Sequence, residues 1–221
     1  YTTLFRSRKK GMPMNFYKAD KSQMEACSRV LKSAFAGYPF FEIYTGKPPH
    51  KQEFFERMMD LWLKSCFEKG RVLVAEDDGV ITGVAVLQGP HDDDIEIIDV
   101  HGPDVEKLTA LADPQTVSDF IHMCDISDAA CQSLAGEKWY LVLLAVSDEV
   151  KGQGIGSRML RDGILPYIAK EGGGLFTFNT NDGGNRNFYT RQGFEEFDES
   201  YLHEKGVVMG NWSYRKTIAP L

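Results

Sequence analysis

Hydrophobic and polar positions in the first third of the chain follow a helical period. From residue 22 to 35 the apolar side chains recur every three or four positions, with Ser22 as the expected N-cap and Gly37 as the expected stop. Residues 51–69 repeat this pattern and predict a second amphipathic helix. Three prolines fall between residues 38 and 50, so this stretch is expected to be a loop.

Beyond residue 70 the pattern is typical of strands. Residues 72–75 and 80–87 flank the turn residues Asp77-Asp78-Gly79, which predicts a hairpin. Residues 139–146 read WYLVLLAV, an unbroken apolar run typical of a strand buried on both faces. The remaining predicted strands are a single strand over residues 175–180 and a terminal hairpin over residues 194–201 and 207–215.

Helices are expected between and after these strands. Residues 92–138 are mixed and polar, and they predict two short helices. A helix that begins at Ile155 is expected to kink or end early at Pro166, and a short helix over residues 185–191 is expected to stop at Gly193. This order of elements predicts an α/β (α+β) fold in which helices cover a mixed sheet.

Composition narrows the class of protein. The chain has 221 residues, of which 43% are hydrophobic and 26% charged, as in an ordinary globular protein. An aromatic content of 12% argues against a disordered chain, and a net charge of −7 argues against a general nucleic-acid binder. No apolar run approaches the roughly 18 residues of a membrane-spanning helix, so no membrane partner is expected.

The first residues differ from the rest of the chain. Residues 1–11, YTTLFRSRKKG, are basic and lack the apolar core of a signal peptide. We expect a disordered tail that is a sequencing or cloning artefact from a metagenomic library, with a native basic arm as the alternative. Residues 12–221 are expected to form a single domain, as a monomer or a homodimer.

The cysteine pattern bears on compartment and metal content. The chain has four cysteines, and no two of them form a CxxC motif. This is typical of free thiols in a reducing cytoplasm. The four are Cys27, Cys66, Cys124 and Cys131. A zinc site built from His122 with the last two cysteines would lack a fourth ligand at metal spacing. We therefore expect a cytoplasmic protein without a metal.

The segment with the most chemical information follows the buried strand. Residues 151–156, Lys-Gly-Gln-Gly-Ile-Gly, lead directly into the predicted helix. The first turn of a helix offers free N–H groups and the positive end of the helix dipole, and glycines let an anion approach the backbone. Lys151 and Arg158 add positive charge nearby. The sequence therefore predicts a site for a cofactor that carries a diphosphate.

Other phosphate-binding motifs fit this segment poorly. The chain contains no GxxxxGK[ST] string, which a P-loop requires. A dinucleotide site needs GxGxxG spacing and an acidic residue about 20 positions further on, where this chain has Phe176. A glycine-rich turn without a ligand stays open as the alternative.

These residues resemble the GNAT superfamily of acetyl-CoA-dependent N-acetyltransferases. The acyl-CoA motif of that family, [R/Q]-x-x-G-x-[G/A], is similar to residues 151–156, with Lys151 in place of Arg or Gln. A second signature, Asn…Phe-Tyr…Gly-Phe, is matched by Asn185, Phe188-Tyr189 and Gly193-Phe194. The order of elements also resembles this family, so the resemblance spans nearly the whole chain.

Within the superfamily, the chain is most similar to the puromycin-type acetyltransferases. The similarity rests on a W-x-L…L-x-V strand, which is matched by Trp139, Leu141, Leu144 and Val146. That subgroup carries Leu-Glu-Thr before the Asn, where this chain has Phe-Asn-Thr at residues 178–180. The role of that glutamate therefore does not carry over.

The resemblance implies a GNAT-like, mostly antiparallel central sheet whose fourth and fifth strands splay apart, with acetyl-CoA as co-substrate in the gap. It implies that the pantetheine arm lies along the fourth strand and that a backbone N–H near Val146 polarises the thioester carbonyl. The cofactor-binding residues that it implies are Leu144, Ala145, Val146, Lys151, Gly152, Gln153, Gly154, Ile155, Gly156, Ser157 and Asn185.

On the same resemblance, Tyr189 is the general acid that protonates the departing thiolate, because a phenol with a pKa near 10 stays protonated at neutral pH. Asn185 either binds pantetheine or caps the helix, and Phe188 is expected to pack in the core. No general base is assigned; the candidates are Glu137, His122, Asp125, His91 and a water chain. The aromatic residues Tyr38, Phe40, Phe41 and Tyr44 either line an acceptor pocket or pack in the core.

The function that the resemblance implies is transfer of an acetyl group from acetyl-CoA to a primary amine of a small molecule, by direct attack in a ternary complex. An amine-bearing antibiotic is one acceptor class that fits the subgroup. Polyamines, amino acids and peptide N-termini are alternative acceptors. A module that binds acyl-CoA without transferring the acyl group is the non-enzymatic alternative.

Overall fold

A computed structural model describes residues 14–44, 50–93, 95 and 103–221. The predicted tail, residues 1–11, lies outside the described residues. In the described part of the chain, no helix is at once long enough and apolar enough to cross a membrane.

Within the described ranges, seven strands form one sheet in the order β1-β2-β3-β4-β5-β7-β6. All neighbouring strands pair antiparallel except β4 and β5, which pair parallel. The predicted fold class, a mixed and mostly antiparallel sheet covered by helices, is confirmed. The strands are β1 Asn15–Lys18, β2 Arg71–Asp77, β3 Val80–Gln88, β4 Lys138–Val146, β5 Gly174–Thr180, β6 Glu195–Glu204 and β7 Val207–Ile218.

Helices cover both faces of the sheet, because both faces carry apolar side chains that must be buried. One face packs against α1 to α5, and the other against α6, α7 and α8. The helices are α1 Met24–Phe35, α2 Pro39–Tyr44, α3 Lys51–Lys69, α4 Pro103–Thr109, α5 Pro114–Gln132, α6 Ile155–Arg158, α7 Leu165–Lys170 and α8 Arg186–Arg191.

The stretch predicted as a loop over residues 38–50 contains helix α2, so that prediction is wrong for residues 39–44. Pro39 occupies the first helical position, where its fixed φ suits a helix and its missing N–H leaves nothing unsatisfied. Phe40, Phe41 and Tyr44 are buried on this helix. The prolines at positions 48 and 49 lie outside the described residues.

In its described residues, the segment predicted to hold two short helices holds one short helix, α4, and one long helix, α5. Asp113 caps α5 by accepting a hydrogen bond of 2.8 Å from the backbone N–H of Thr116. The buried face of α5 includes Ser127 and Cys131 beside its apolar residues. This mixture hid the helical period from the sequence analysis.

Two predicted helix boundaries also differ. The cap before α1 is Asp20 rather than Ser22, since the Asp20 carboxylate accepts from the backbone N–H of Ser22 at 2.9 Å. The helix that starts at Ile155 does not end early at Pro166, but continues to Lys170. A π-helical segment, Met159–Ile164, precedes the proline. Its wider turn accommodates a residue that cannot donate to the preceding turn.

The feature of the sheet that positions the site is the divergence of β4 and β5. The two strands pair only at Lys138↔Leu175, Trp139↔Phe176 and Tyr140↔Thr177. Beyond these three pairs, β4 continues to Val146 and β5 continues to Thr180, but the two strands no longer pair with each other. The splayed fourth and fifth strands are therefore confirmed, and the gap between them is called the wedge below.

The aromatic packing under the wedge yields a stability prediction. Phe178 on β5 is 1% exposed, and its ring lies 4.5 Å from Tyr189 and 5.5 Å from Tyr214, centroid to centroid. We expect Phe178→Ala to lower the free energy of unfolding by about 3–5 kcal/mol, because it leaves a cavity. Val208→Ala, at a side chain that is 60% exposed, is the control and should change it by less than about 0.5 kcal/mol. Urea unfolding followed by circular dichroism measures both.

Candidate active site

A cavity of about 490 Å³ occupies the wedge and extends beneath α1, α2 and α5. Two groups of residues line it. The first, called the glycine side, consists of Leu144, Ala145, Val146, Lys151, Gly152, Gly154, Ile155, Gly156, Ser157, Asn185, Phe188 and Tyr189. The second, called the helix side, includes Phe35, Tyr38, Phe40, Phe41, Trp62, Cys124, Ser127, Asp128, Tyr140, Asn179 and Asn181.

The glycine side begins with a turn that only glycine adopts easily. Gly152 and Gly154 have φ values of +79° and +77°, in the left-handed region. A Cβ atom at either position would meet no other atom within 4 Å, so the outer surface of the turn is open. A phosphate group can therefore approach the backbone here without obstruction from the protein.

Unpaired amides follow this turn. The first helical hydrogen bond of α6 runs from the N–H of Arg158 to the carbonyl of Gly154, at 3.1 Å. The N–H groups of residues 155–157 precede that bond and have no partner within the helix. They lie at the positive end of a helical segment that continues to Lys170. This arrangement suits a diphosphate.

The end of β4 offers its backbone to the wedge. The N–H of Ser147 donates to the carbonyl of Thr82 in β3, at 2.9 Å. Because amide directions alternate along a strand, the N–H groups of Val146 and Leu144 point away from β3 and towards the wedge. A carbonyl group in the wedge can accept a hydrogen bond from them.

Of the predicted cofactor-binding residues, the structure places all but Gln153 along the cavity. The Gln153 backbone N–H donates to the carbonyl of Val150 at 3.3 Å. Lys151 is exposed at the cavity edge, and its Nζ lies 3.8 Å from the Oδ1 atom of Asp148. Its positive charge is therefore partly offset before any ligand binds.

Tyr189, the predicted general acid, lies in the wall of the cavity and is 7% exposed. Burial raises its pKa above the ordinary value, and the neighbouring Tyr38, Tyr214 and Asp182 act in the same direction. Its phenol therefore stays protonated at neutral pH. Phe188 packs against the glycine turn, 3.4 Å from where a Cβ of Gly156 would be, in keeping with a packing role.

Asn185 does not cap α8. It stands at the N-cap position but makes no capping hydrogen bond, so that interpretation is wrong. Its Nδ2 atom donates to Oγ1 of Thr180 at 3.1 Å, and the same oxygen lies 3.2 Å from the Tyr38 hydroxyl. Asp182 instead caps the preceding turn through the N–H of Gly184, at 2.8 Å. Asn185 is thus fixed at the cavity edge.

Sequence analysis missed Asp128, a carboxylate on α5 that lines the cavity. Its Oδ1 atom accepts hydrogen bonds from the Tyr140 hydroxyl at 2.6 Å and from Nδ2 of Asn179 at 2.7 Å. Burial raises the pKa of Asp128 to about 6, against the two hydrogen bonds, which lower it. Nothing in the sequence separates Asp128 from Asp125, because both stand in the same polar stretch of the helix.

The base candidates from the sequence lie elsewhere. His122 and Asp125 are exposed on α5 and do not line the cavity. His91 and Glu137 are exposed and face each other, with Nδ1 and Oε1 3.7 Å apart. None of these four is positioned to take a proton from a molecule in the cavity.

Buried amides hold the helix side together. The Asn211 side chain on β7 donates to the Ser127 carbonyl at 2.9 Å and accepts from Nδ2 of Asn181 at 3.1 Å. Asn179 on β5 donates to that same carbonyl at 3.1 Å. This network ties α5 to β5 and β7, and so fixes the position of Asp128.

The aromatic residues of α2 divide between the two predicted roles. Tyr38, which precedes the helix, lines the cavity together with Phe40 and Phe41, whereas Tyr44 is buried in the core.

The described residues contain no group of three or more metal-ligating side chains at metal-binding distance. Cys131 is buried as a free thiol.

Comparison with known proteins gives one family match. Residues 109–196 match the family model described as an acetyltransferase (GNAT) domain. No curated protein sequence matches the chain significantly.

Solved structures resemble the chain over nearly its full length. A histone acetyltransferase HPA2 and related acetyltransferase from Corynebacterium glutamicum is 19% identical, covers 95% of this chain and 98% of its own, and has a TM-score of 0.63. Arylalkylamine N-acetyltransferase 2 from Aedes aegypti is 15% identical with a TM-score of 0.61, covering 93% of this chain and 99% of its own. A polyamine N-acetyltransferase from Drosophila melanogaster is 14% identical with a TM-score of 0.60, covering 93% and 100%.

At these identities the similarity establishes the fold. The chain has the fold of these solved acetyltransferase structures over nearly all of its length, and residues 109–196 match the family model described as an acetyltransferase (GNAT) domain.

Proposed function

We propose that this protein is an N-acetyltransferase that moves an acetyl group from acetyl-CoA to a primary amine of a small molecule in a ternary complex. The observation that carries this proposal is the wedge, which is open between β4 and β5 and ends at a glycine turn with unpaired amides. An elongated molecule with a diphosphate at one end and an amide-rich arm matches both parts. Acetyl-CoA has this form.

The residues present fit acetyl-CoA. The N–H groups of residues 155–157 supply donors for the diphosphate, and Lys151 adds a cation at the edge. The inward-facing amides of Leu144 and Val146 can pair with the pantetheine arm. Gln153 stays a predicted ligand, although its backbone N–H donates to the carbonyl of Val150.

Two groups of this chain favour transfer over binding alone. The N–H of Val146 stabilises negative charge that develops on the thioester oxygen. Tyr189, kept protonated by burial, donates a proton to the departing sulfur. A module that only binds acyl-CoA requires neither group.

The acceptor class is tested by measuring thiol release from acetyl-CoA over a panel of amines. The panel includes polyamines, arylalkylamines, amino acids, an N-terminal peptide and amine-bearing antibiotics, the last being the class suggested by the subgroup resemblance. The proposal expects thiol release with at least one small amine. Tight acetyl-CoA binding without thiol release from any of them would indicate the non-catalytic module instead.

The glycine turn gives the first functional prediction. We expect Gly154→Ala to weaken acetyl-CoA binding about tenfold or more, a loss of at least about 1.4 kcal/mol, because the left-handed backbone strains any other residue and displaces the amides. Isothermal titration calorimetry with acetyl-CoA measures this.

Gly79→Ala is the matched control, since Gly79 has a φ of +75° and open space around it, but lies in the β2–β3 turn. Both variants should lose about 1 kcal/mol of stability. Equal acetyl-CoA affinity in the two variants would contradict a diphosphate site at the turn.

The second functional prediction concerns Tyr189. We expect Tyr189→Phe to lower kcat by about 10²–10⁴-fold while acetyl-CoA affinity changes little, because only the proton donor is removed. Steady-state thiol release and calorimetry separate the two effects.

Tyr214→Phe is its control, because it removes a hydroxyl from a ring 5.2 Å away that does not line the cavity. That hydroxyl donates to Glu196 at 2.5 Å, so the control loses stability rather than turnover. Comparable kcat in both variants would exclude Tyr189 as the acid.

A further inference from the structure

One oxygen of the Asp128 carboxylate accepts hydrogen bonds from side chains, and the other is open to a donor from a ligand. Tyr140 and Asn179 both donate to Oδ1. Among the described residues, no side chain donates to the other oxygen, although Asp128 lines the cavity. An acceptor that lines a cavity and has no side-chain donor favours a ligand that supplies one.

This open oxygen lies where the wedge begins. Tyr140 is the last residue of β4 that pairs with β5, and Asn179 stands two positions beyond its partner Thr177. The side chains of Tyr140 and Asn179 thus meet Asp128 at the point where the strands separate. An acceptor held here shares the wedge with the arm of acetyl-CoA.

Aromatic side chains line the same cavity as this carboxylate. The ring of Phe35 packs in T-shaped contacts with Tyr38 and Phe41, whose own rings are tilted to each other. The three ring centroids are 5.4–5.9 Å apart, and Trp62 packs against Phe41. All four line the cavity. In the described lining the charged residues are Asp128, Asp182 and Lys151, and the only cation among them stands at the glycine turn. The helix side therefore suits one positive charge attached to an apolar body.

We propose that Asp128 binds the ammonium group of the acceptor and removes its proton, and that the aromatic wall restricts the acceptor to monoamines with a flat apolar group. This inference rests on the proposed function. It names the base that the sequence left unassigned and the class of amine that the cavity takes.

The proton balance of the step is complete. Asp128 takes the first ammonium proton and passes it to water. The neutral nitrogen then attacks the thioester carbon, so that the C–N bond forms and the C–S bond breaks. Tyr189 gives its proton to the sulfur and regains the second nitrogen proton, and the third proton stays on the amide.

A second charge on the acceptor is disfavoured by the same wall. An ammonium group that leaves water loses several kcal/mol of hydration unless it finds a carboxylate. A cation–π contact with Tyr38 or Trp62 returns only about 0.5–2 kcal/mol. Asp182, the other carboxylate in the described lining, caps the turn at residues 183–185 that leads to Asn185 on the glycine side.

Asp128→Asn tests the anchor and base, with Asp125→Asn, one turn earlier and exposed, as the matched control. For Asp128→Asn we expect amine affinity, measured by calorimetry with CoA present, to fall at least tenfold. We expect kcat/KM to fall about 10²-fold, and acetyl-CoA affinity to stay within twofold. The control should change none of these.

The pH profile supplies an independent readout. Burial raises the pKa of Asp128 to about 6, so wild-type kcat/KM should rise with pH up to about that value and then level. Tyr140 faces the carboxylate from β4, and Cys124, Asp125 and Cys131 face it from α5. The acid limb should disappear in Asp128→Asn and persist in Asp125→Asn. A persistent limb in Asp128→Asn, or unchanged amine affinity, overturns the assignment.

The aromatic wall is tested by kcat/KM ratios. Wild type should prefer phenethylamine to butylamine, and butylamine to putrescine, by about tenfold at each step. Phe35→Leu removes one flat ring from the cavity, and should bring the phenethylamine-to-butylamine ratio near one. Phe67→Leu, on a partly buried ring of α3 that does not line the cavity, is the control and should retain the preference.

The outcomes separate the two proposals. Equal or better use of putrescine, or an unchanged ratio in Phe35→Leu, overturns the acceptor class while leaving the transferase in place. Absence of thiol release with every amine in the panel instead overturns the proposed function itself.

Discussion

The structure depends on a sheet whose two central strands, β4 and β5, pair with each other over only part of their length. A strand in the centre of a sheet normally satisfies its amides on both sides, yet β4 has a partner on one side only beyond Tyr140. Unpaired backbone groups in a protein interior are unfavourable by about 1–3 kcal/mol each when dry. The wedge is therefore a place where the fold itself requires solvent or a ligand with complementary hydrogen bonds.

The elements around the wedge keep it open by different means. On one face, the apolar core under α6 and α7 includes Leu160 and Ile168, both fully buried. On the other, α5 is joined to β5 and β7 by side-chain amides rather than by apolar packing alone. A polar network of this kind allows one arrangement of its members, whereas apolar contacts tolerate small shifts. The two strands are thus held apart at a fixed separation.

The glycine side could be predicted from the sequence because its determinants are local. The apolar run of β4, the alternating glycines and the residues of α8 each follow from neighbours in the chain, and the structure places them along one cavity. Gln153 was the exception, since the short turn after Val150 uses its amide in a way that the motif does not reveal. Strand β1 was missed as well, because its four residues are too few to show a period.

The helix side could not be predicted, because its determinants are tertiary. Phe40 and Phe41 lie on a helix in a stretch whose prolines suggested a loop, and Asp128 gains its environment from residues on β4 and β5. A proline at a first helical position is favoured locally but is easily taken for a loop signal, whereas a polar residue on a buried helix face contradicts local preference. Only the packing of α2 and α5 over the sheet shows why they are there.

The amide network also has a consequence for how the protein is made. Ser127 and Asn211 are 84 positions apart in sequence, so their contact forms only when the final strand has docked beside β5. Contacts of such separation form late, because a long loop must close first. During synthesis the helix side of the cavity is therefore completed only when β7 exists. The glycine side also waits for this strand, because the ring of Tyr189 packs against Tyr214 of β7.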